Sequence, residues 1–360
     1  MDVSGLLAGL ERQPSGEIVV PLQGKLDMST QGGLAAALDQ ALEAGAVRVV
    51  ADFSAVTSMS GAALLPLAVA QARAHKRGVR MAAAAVPVYA QATFRAVWPG
   101  EEMPVYASVA DALAGQSEVV APASGSGADG GWAQSLPPVD LSAFPREVPR
   151  INVQGQPVCG PASGFGRLWH KVYGAGLPGM QIGPEAVVSE WRDHFGDFWP
   201  AGNRMHLGPA GVAPGAPGVI TLTVPPGMQL ITGIQVAYSG PDCFVFLPVR
   251  GHMFCGLIVF GALMAGDGLE AQVQVLVRAS DPLWETAMTM GGFAQEDQSW
   301  FHTLSQLARH LGTATKPRLC ASVVDEQRAW SESGGVIFNS AVWSGLYQAA
   351  GLLRGLGGRR

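Results

Sequence analysis

The stretch from Val49 to Leu67, VVADFSAVTSMSGAALLPL, constrains the fold more than any other part of the chain. It begins with an apolar run that carries a single acid, Asp52, and such runs are typical of strands covered on both faces of a sheet. A Ser/Thr-rich loop follows, whose hydroxyls can cap the N–H groups of the next helix. In such sheets, ligands and partners bind beyond the carboxyl ends of the strands. The stretch therefore predicts a strand–loop–helix unit and a first candidate functional surface.

The same alternation of strand and helix patterns extends over residues 1–116. Leu34, Leu38 and Leu42 lie four residues apart, which places them on one face of a helix. Strands separated by helices of this length are typical of a mainly parallel sheet with crossover helices, an α/β arrangement. The predicted strands are 17–23, 47–53 and 78–84, and the predicted helices are 29–42, 61–76, 86–98 and 108–113.

This pattern resembles the STAS domain, the family of anti-sigma-factor antagonists. The resemblance rests on Gly24–Asp27, the Val49–Phe53 strand, the Val56–Gly61 loop and the Gly78–Met81 strand. It implies that residues 1–116 form a STAS-like domain that contacts a protein partner through the loop and the following helix. The candidate contact residues are Ser58, Ser60, Gly61, Ala62 and Leu65.

In that family the loop carries an Asp-Ser-Ser-Gly motif, and a partner kinase phosphorylates one of its serines. Alignment by spacing from Asp52 puts the two serine positions on Gly61 and Ala62, which have no hydroxyl. We therefore do not expect the phosphorylation switch of the family. A shifted alignment would make Ser60 the acceptor, whereas helix capping is the simpler role for Ser58 and Ser60.

Residues 117–150 interrupt the regular patterns. They are rich in Ala, Gly, Ser and Pro and have no periodic apolar face, which is typical of a linker. Residues 125–130 match GxGxxG formally, but a phosphate-binding loop needs a preceding strand and a following helix, and neither is predicted. The chain is therefore divided into residues 1–116, a linker at 117–150 and a second domain at 151–360.

The second domain has a different order of elements, typical of an α+β fold. A helix at 184–195 is followed by strand patterns at 219–224, 230–238, 243–249, 254–264 and 270–278. Consecutive strands joined by short Gly/Pro/Asp turns predict an antiparallel meander. An amphipathic helix at 298–311, a strand at 318–324 and a long helix at 336–356 complete the domain.

This order resembles the helix-grip fold of the SRPBCC (START/Bet v 1-like) superfamily. The resemblance implies that the long helix lies across the sheet and encloses a cavity for a lipid or another apolar small molecule. The apolar strand residues could instead fill a solid core, and Arg278 could pair with Asp281 or Glu285 in a structural salt bridge. The candidate ligand-binding residues are Ile234, Phe244, Phe246, His252, Phe254, Ile258 and Arg278.

Catalytic motifs are absent from the sequence. It contains no HExxH, no pair of nearby cysteines and no Gly-x-Ser-x-Gly elbow, so it predicts no catalytic residue, no metal site and no cofactor. The four cysteines are scattered, and we expect them to be reduced thiols. A cyclase- or hydrolase-like enzyme would need His252 and Asp281 to meet as acid and base inside one pocket.

These observations favour a non-enzymatic regulatory or scaffold protein, in which a STAS module for protein contact is joined to a domain that binds an apolar molecule. A purely structural protein without a ligand is the alternative. The net charge of −5 argues against a nucleic-acid partner, and no apolar run reaches the ~20 residues of a membrane span. With no secretory signal, the expected location is the cytoplasm, and homo-oligomers are compatible with the sequence.

Overall fold

The computed structural model describes residues 9–115, 131–224, 227–266 and 268–357, with side chains through residue 351. Residues 9–115 form a five-stranded sheet of order β1-β2-β3-β4-β5, in which β1 is antiparallel to β2 and β2 to β5 run parallel. The predicted α/β arrangement is confirmed. The strands are β1 (Glu11–Arg12), β2 (Glu17–Leu26), β3 (Arg48–Met59), β4 (Arg80–Ala84) and β5 (Val105–Tyr106), and the helices are α1 (Gln31–Glu43), α2 (Leu64–Lys76), α3 (Gln91–Val97) and α4 (Val109–Ala114).

The loop that follows the central strand is shorter than the sequence predicts. Thr57 and Ser58 belong to β3, which pairs with β2 as far as Met59. A single 3₁₀ turn, Gly61–Ala63, then leads into α2. Ser60 caps this turn, because its Oγ accepts a hydrogen bond from the Ala62 N–H at 3.3 Å.

Residues 131–150, within the segment predicted to be a linker, pack against the second domain. Val139, Leu141 and Phe144 are buried in one apolar cluster with Val219 and Ile231. The glycine-rich residues 116–130, which contain the GxGxxG match, lie outside the described residues. The connection between the domains therefore includes a stretch that is held by side-chain packing.

The expectation of four reduced thiols is wrong for two of them. Cys159 and Cys255 form a disulfide across 96 residues of sequence. They meet because the backbone around Cys159 runs beside the sheet: the Cys159 N–H donates to the Pro248 carbonyl, and the Gly256 N–H donates to the Cys159 carbonyl. Such a long-range pairing leaves no signal in the cysteine spacing. Cys243 is a buried free thiol and Cys320 an exposed one.

The second domain is built on an eight-stranded sheet of order β13-β6-β12-β11-β10-β9-β8-β7. Every neighbouring pair is antiparallel, and β8 to β12 follow one another as the predicted meander. The strands are β6 (Leu168–Gly176), β7 (Arg204–Leu207), β8 (Pro217–Val224), β9 (Met228–Ser239), β10 (Cys243–Pro248), β11 (Phe254–Ala265), β12 (Gly268–Ala279) and β13 (Arg318–Asp325).

One face of this sheet is covered by two helices. Trp191 and Leu304 from these helices are buried in one cluster with Phe244, Phe246 and Phe260 of the sheet. The same part of the fold includes a short helix that leads into the second covering helix through non-helical backbone at Met290 and Gly291. The helices are α5 (Pro184–Asp193), α6 (Pro282–Ala287) and α7 (Phe293–His310).

The long carboxy-terminal helix, α8 (Ser340–Gly357), has a different position. It begins at Ser340 because Asn339 Oδ1 accepts hydrogen bonds from the Ala341 and Val342 N–H groups. It lies along β9, where Ser344 Oγ accepts the Ile231 N–H at 3.0 Å. The long helix that packs on the sheet face beside α5 is instead α7, for which the sequence predicted only an amphipathic helix.

The two domains share one buried core. Leu64 and Ala68 of α2 belong to the same apolar cluster as Val245 of β10, Val259 of β11 and Leu276 of β12. Successive side chains of a strand point to opposite faces, so Val245 faces the first domain while its neighbours Phe244 and Phe246 face α5 and α7. A single sheet thus separates the first domain from the helical layer. Within the described residues, no helix combines the length and apolarity of a membrane span.

Candidate functional site

The loop that precedes α2 is held by one carboxylate from the second domain. Asp242 lies in the turn between β9 and β10, and its Oδ2 accepts hydrogen bonds from Ser60 Oγ at 2.6 Å and from the Met28 N–H at 3.2 Å. Ser60 is 6% exposed. Burial raises the pKa of the Asp242 carboxyl above its ordinary value, while these hydrogen bonds oppose the rise. The contact is therefore a desolvated, hydrogen-bonded link between the domains.

Gly61 allows the closest approach of the two domains. A Cβ at this position would lie 2.6 Å from Val245 Cγ2 and 2.7 Å from the ring of Tyr238. Contacts this short do not occur between real side chains, so any larger residue would push α2 away from the sheet. The small residues of this loop, Gly61 and Ala62, are both buried against the second domain.

Two further hydrogen bonds cross the same surface. The Trp132 indole N–H donates to the Met59 carbonyl at 2.9 Å, and Thr93 Oγ1 donates to the Ala237 carbonyl at 3.3 Å. The Trp132 ring also packs edge-on against Tyr238, with the ring centroids 5.0 Å apart. The segment at 131–150 therefore contributes directly to the contact between the domains.

The structure corrects the predicted partner surface. Ser60, Gly61, Ala62 and Leu65 are buried against the second domain of the same chain, whereas Ser58 is exposed on β3. The surface expected to receive a separate protein is thus covered within the chain. Local sequence could not show this, because small apolar residues suit both a covered and an open helix face.

A cavity of about 570 Å³ lies on the other face of the sheet, between the strands and α7. Its volume is within the range of small-molecule sites. Its walls are mostly apolar, with aromatic rings from the sheet and from α7 and four methionines, Met228, Met253, Met288 and Met290. The polar residues among its lining residues are Asn203, His252, Gln295, Glu296, Ser299 and Thr303.

The predicted ligand-binding residues divide into two groups. Phe244 lies beneath Trp191 and Phe195 and stacks on Phe260 at 4.8 Å, so it belongs to the packed core. Arg278 lies two residues after Leu276 on β12, so both side chains point to the face of the sheet that is turned away from the cavity. There Arg278 pairs with Asp325 at 3.1 Å. These two predictions are corrected. The other five predicted residues line the cavity: Ile234, Phe246, His252, Phe254 and Ile258.

His252 is a neutral hydrogen-bonding group in the cavity wall. Burial lowers its pKa to about 4, and its Nδ1 accepts the Phe254 N–H at 2.9 Å. With Nδ1 acting as an acceptor, the neutral ring carries its proton on Nε2. The imidazole can therefore donate one hydrogen bond without adding charge to the cavity.

A buried cluster of charged side chains lies behind another part of the wall, which is lined by Glu296. Lys171 Nζ lies 2.8 Å from Glu296 Oε2 and 2.7 Å from Asp297 Oδ1, and the Tyr173 hydroxyl donates to Asp297. Burial raises the pKa of Glu296, while Lys171 opposes the rise. Two carboxyl groups share one ammonium, so Glu296 offers a ligand a polar contact that Lys171 already compensates in part.

The acid–base pair required by the enzyme alternative does not meet in the cavity. Asp281 is fully buried but is not among the lining residues. Its Oδ1 caps α6 by accepting the Leu283 and Trp284 N–H groups, and both of its oxygens accept from Asn339 Nδ2. Asp281 thus has a structural role at the start of α6. The Asp-Pro sequence is typical of such a helix start.

Two features of these surfaces could not be predicted in full from the sequence. Asp242 occurs in Ser-Gly-Pro-Asp, which a simple turn explains fully. The part of the cavity wall formed by α7 could be predicted in part, because the periodic apolar residues of that helix include Trp300, which lines the cavity. The polar residues Glu296 and Thr303 of the same helix gave no comparable signal, since polar residues are ordinary on an amphipathic helix.

Comparison with known proteins agrees with the fold of the first domain. Residues 10–97 match the family model described as Mlab, STAS domain. Among solved structures, an anti-sigma factor antagonist from Mycobacterium paratuberculosis is 22% identical and covers 30% of this chain and 90% of its own, with a TM-score of 0.26. The Bacillus cell fate determinant SpoIIAA in its phosphorylated form is 16% identical and covers 29% and 96%, with a TM-score of 0.26.

One further solved structure covers a larger share of the chain. The di-domain ARO/CYC protein StfQ of the steffimycin biosynthetic pathway is 11% identical and covers 40% of this chain and 50% of its own, with a TM-score of 0.32. No curated protein matches the chain.

Proposed function

Because residues 10–97 form a STAS domain, a module for regulation and protein contact, we propose that this chain is a non-enzymatic regulator that binds one apolar small molecule or lipid. The observation that carries the proposal is the cavity of about 570 Å³ between the second sheet and α7. A protein that served only as a scaffold would gain stability by filling this space, since close packing is the rule in protein interiors.

The lining residues indicate the chemistry of the ligand. Phe246, Phe254 and Ile258 offer apolar contact over most of the wall, whereas His252 and Thr303 offer hydrogen bonds at a few points. Pockets of this composition bind an apolar body and orient it through one or two polar atoms. We therefore expect a mainly hydrophobic molecule with a hydroxyl or carbonyl group.

The sheet provides a physical route from the ligand to the STAS domain. Phe246 lines the cavity, and its neighbour Val245 packs against the first domain on the other side of β10. A ligand that shifts this strand would alter the fit of Gly61 against Val245 and Tyr238. In this proposal, ligand binding in the cavity loosens or tightens the contact of Gly61 and α2 with the second sheet. A separate protein partner then binds the two forms with different affinity.

The primary test is native mass spectrometry of the full chain, followed by solvent extraction and identification of any bound molecule. Ile258→Trp should fill the cavity and lower both the amount of co-purified ligand and the affinity for it by at least tenfold. Met264→Trp is the matched control, because Met264 lies on the same strand, is 44% exposed and does not line the cavity.

A second candidate function is a purely structural subunit. The continuous core shared by the two domains favours it, because rigid docking suits an assembly component as well as a regulator. Absence of ligand from the purified wild-type chain, together with equal and negligible binding of apolar probes by wild type and Ile258→Trp, would reject the carrier proposal in favour of this one.

The cellular location belongs to the same proposal. The sequence predicts a cytoplasmic protein, but disulfides persist mainly in oxidising compartments. The Cys159–Cys255 bond therefore favours an oxidising location unless the bond is reduced in the cell. Thiol titration of the protein taken directly from its source separates the two cases: two reactive thiols after denaturation indicate the bond, and four indicate its absence.

A further inference from the structure

One carboxylate and two imidazoles meet at the surface where α5 approaches the end of α7. His310 Nε2 lies 3.0 Å from Glu190 Oε2, and His194 Nε2 lies 4.0 Å from the same oxygen. The ligand atoms of all three residues lie within 4.8 Å of one another. Donor atoms bound tetrahedrally at about 2.0–2.1 Å from zinc are roughly 3.4 Å apart. Small side-chain rotations would therefore bring this set to coordination distance.

A fourth residue orients one of the imidazoles. His194 Nδ1 lies 3.2 Å from Asp197 Oδ2. When Nδ1–H donates to that carboxylate, the Nε2 lone pair is directed to Glu190 and His310. Histidine ligands of metals almost always donate their other ring N–H to a carboxylate, a backbone carbonyl or water, which fixes the tautomer and raises the basicity of the ring. The contact is thus independent support for a ligand role of His194.

We propose that Glu190, His194 and His310 bind a divalent transition-metal ion of the zinc class. Two imidazoles and one carboxylate are donors that such ions prefer, whereas Mg²⁺ and Ca²⁺ require mainly oxygen ligands. The ion would connect the end of α5 to the last residue of α7 and leave one coordination position for water. None of the three residues lines the cavity, so the site is separate from the ligand site.

The test uses the full chain without a histidine tag, stripped with a chelator and titrated with Zn²⁺ by calorimetry. Wild type should bind one equivalent, and His194→Ala and His310→Ala should each lower the affinity by at least tenfold. Asp197→Asn should lower it by a smaller factor, because the asparagine can still accept from Nδ1–H. His75→Ala is the control, since His75 is exposed on α2. Substitution with Co²⁺ adds a readout, because histidine ligation produces a visible absorption band that the alanine variants should lose.

Two outcomes would overturn the proposal. Zn²⁺ binding by wild type that is no tighter than binding by the His194→Ala/His310→Ala double variant would leave only a surface ion pair. An equal loss of affinity in His75→Ala would mean that Zn²⁺ binds elsewhere. Circular dichroism of each variant at the temperature of the titration shows that the variants compared are folded.

Discussion

At the residue scale, both candidate surfaces depend on polar side chains whose partners lie far away in the sequence. Asp242 accepts hydrogen bonds from Ser60 and Met28, which precede it by 182 and 214 residues. Lys171 pairs with Glu296 across 125 residues. A sequence pattern reflects only local neighbours. It therefore predicts a turn at Asp242 and the start of a helix at Glu296, but neither long-range pairing.

His252 provides a prediction about pH at this scale. Its pKa is lowered from 6.5 to about 4 by burial, so the unfolded chain takes up a proton at a pH where the folded chain does not. The stabilising effect is complete above pH 6.5 and is lost as the pH falls toward 4. The difference corresponds to about 3 kcal/mol of unfolding free energy. His252→Asn, which keeps an acceptor near the Phe254 N–H, should remove this part of the acid sensitivity.

The measurement is urea unfolding at several pH values between 7 and 4 for wild type and variants. His75→Asn is the control, because it makes the same substitution at a histidine that is exposed on α2. His170, whose pKa burial also lowers to about 4, retains its own share of the slope in every variant. Parallel profiles for wild type and His252→Asn would contradict the prediction.

At the element scale, the sequence predicted the type and order of most helices and strands, because apolar periodicity reflects burial directly. It was less able to assign the faces of strands covered on both sides. In β12 nearly every residue is buried, so alternation does not distinguish Arg278 from Val277, which belongs to the apolar cluster on the opposite face. The same limitation applies to the helices: α7 and α8 have equal lengths, and their packing partners, rather than their patterns, decide which one covers the cavity.

The disulfide gives a prediction about how elements are connected. Cys159 precedes the second sheet and Cys255 lies on β11, so the bond closes a loop of 96 residues. Closure of a loop of this length stabilises a folded protein by about 4.7 kcal/mol in the chain-entropy model. Replacement of both cysteines by serine should lower the free energy of unfolding by roughly that amount, measured by denaturant titration without reductant.

Cys320→Ser is the matched control, because Cys320 is an exposed free thiol. It should unfold at the wild-type denaturant concentration. Wild type in the presence of reductant should approach the double variant. Identical midpoints for wild type with and without reductant, with thiol titration showing complete reduction, would mean that the bond does not contribute to stability.

At the scale of the whole molecule, the arrangement has three layers: the STAS domain, the eight-stranded sheet and the helical layer with the cavity. The first two share a buried core that includes α2, β10 and β11. This arrangement could not be derived from the sequence, because an apolar helix face of small residues fits a partner protein and a second domain equally well. The structure resolves that choice through long-range contacts such as Gly61 against Tyr238.

The shared core predicts that the two domains unfold together. Scanning calorimetry of the wild-type chain should show a single transition, because separation of the domains would expose the apolar residues between them. Gly61→Val would place side-chain atoms where Val245 and Tyr238 already lie, with the first contact at 2.6 Å. This variant should split the transition into two and increase hydrogen exchange in residues 60–63 and 243–247.

Gly32→Val is the control, because Gly32 is exposed on α1 and a Cβ there meets nothing within 4 Å. A single transition in Gly61→Val at the wild-type temperature would show that docking does not require the close approach at Gly61, and ligand-controlled release of the STAS face would then lose its structural basis.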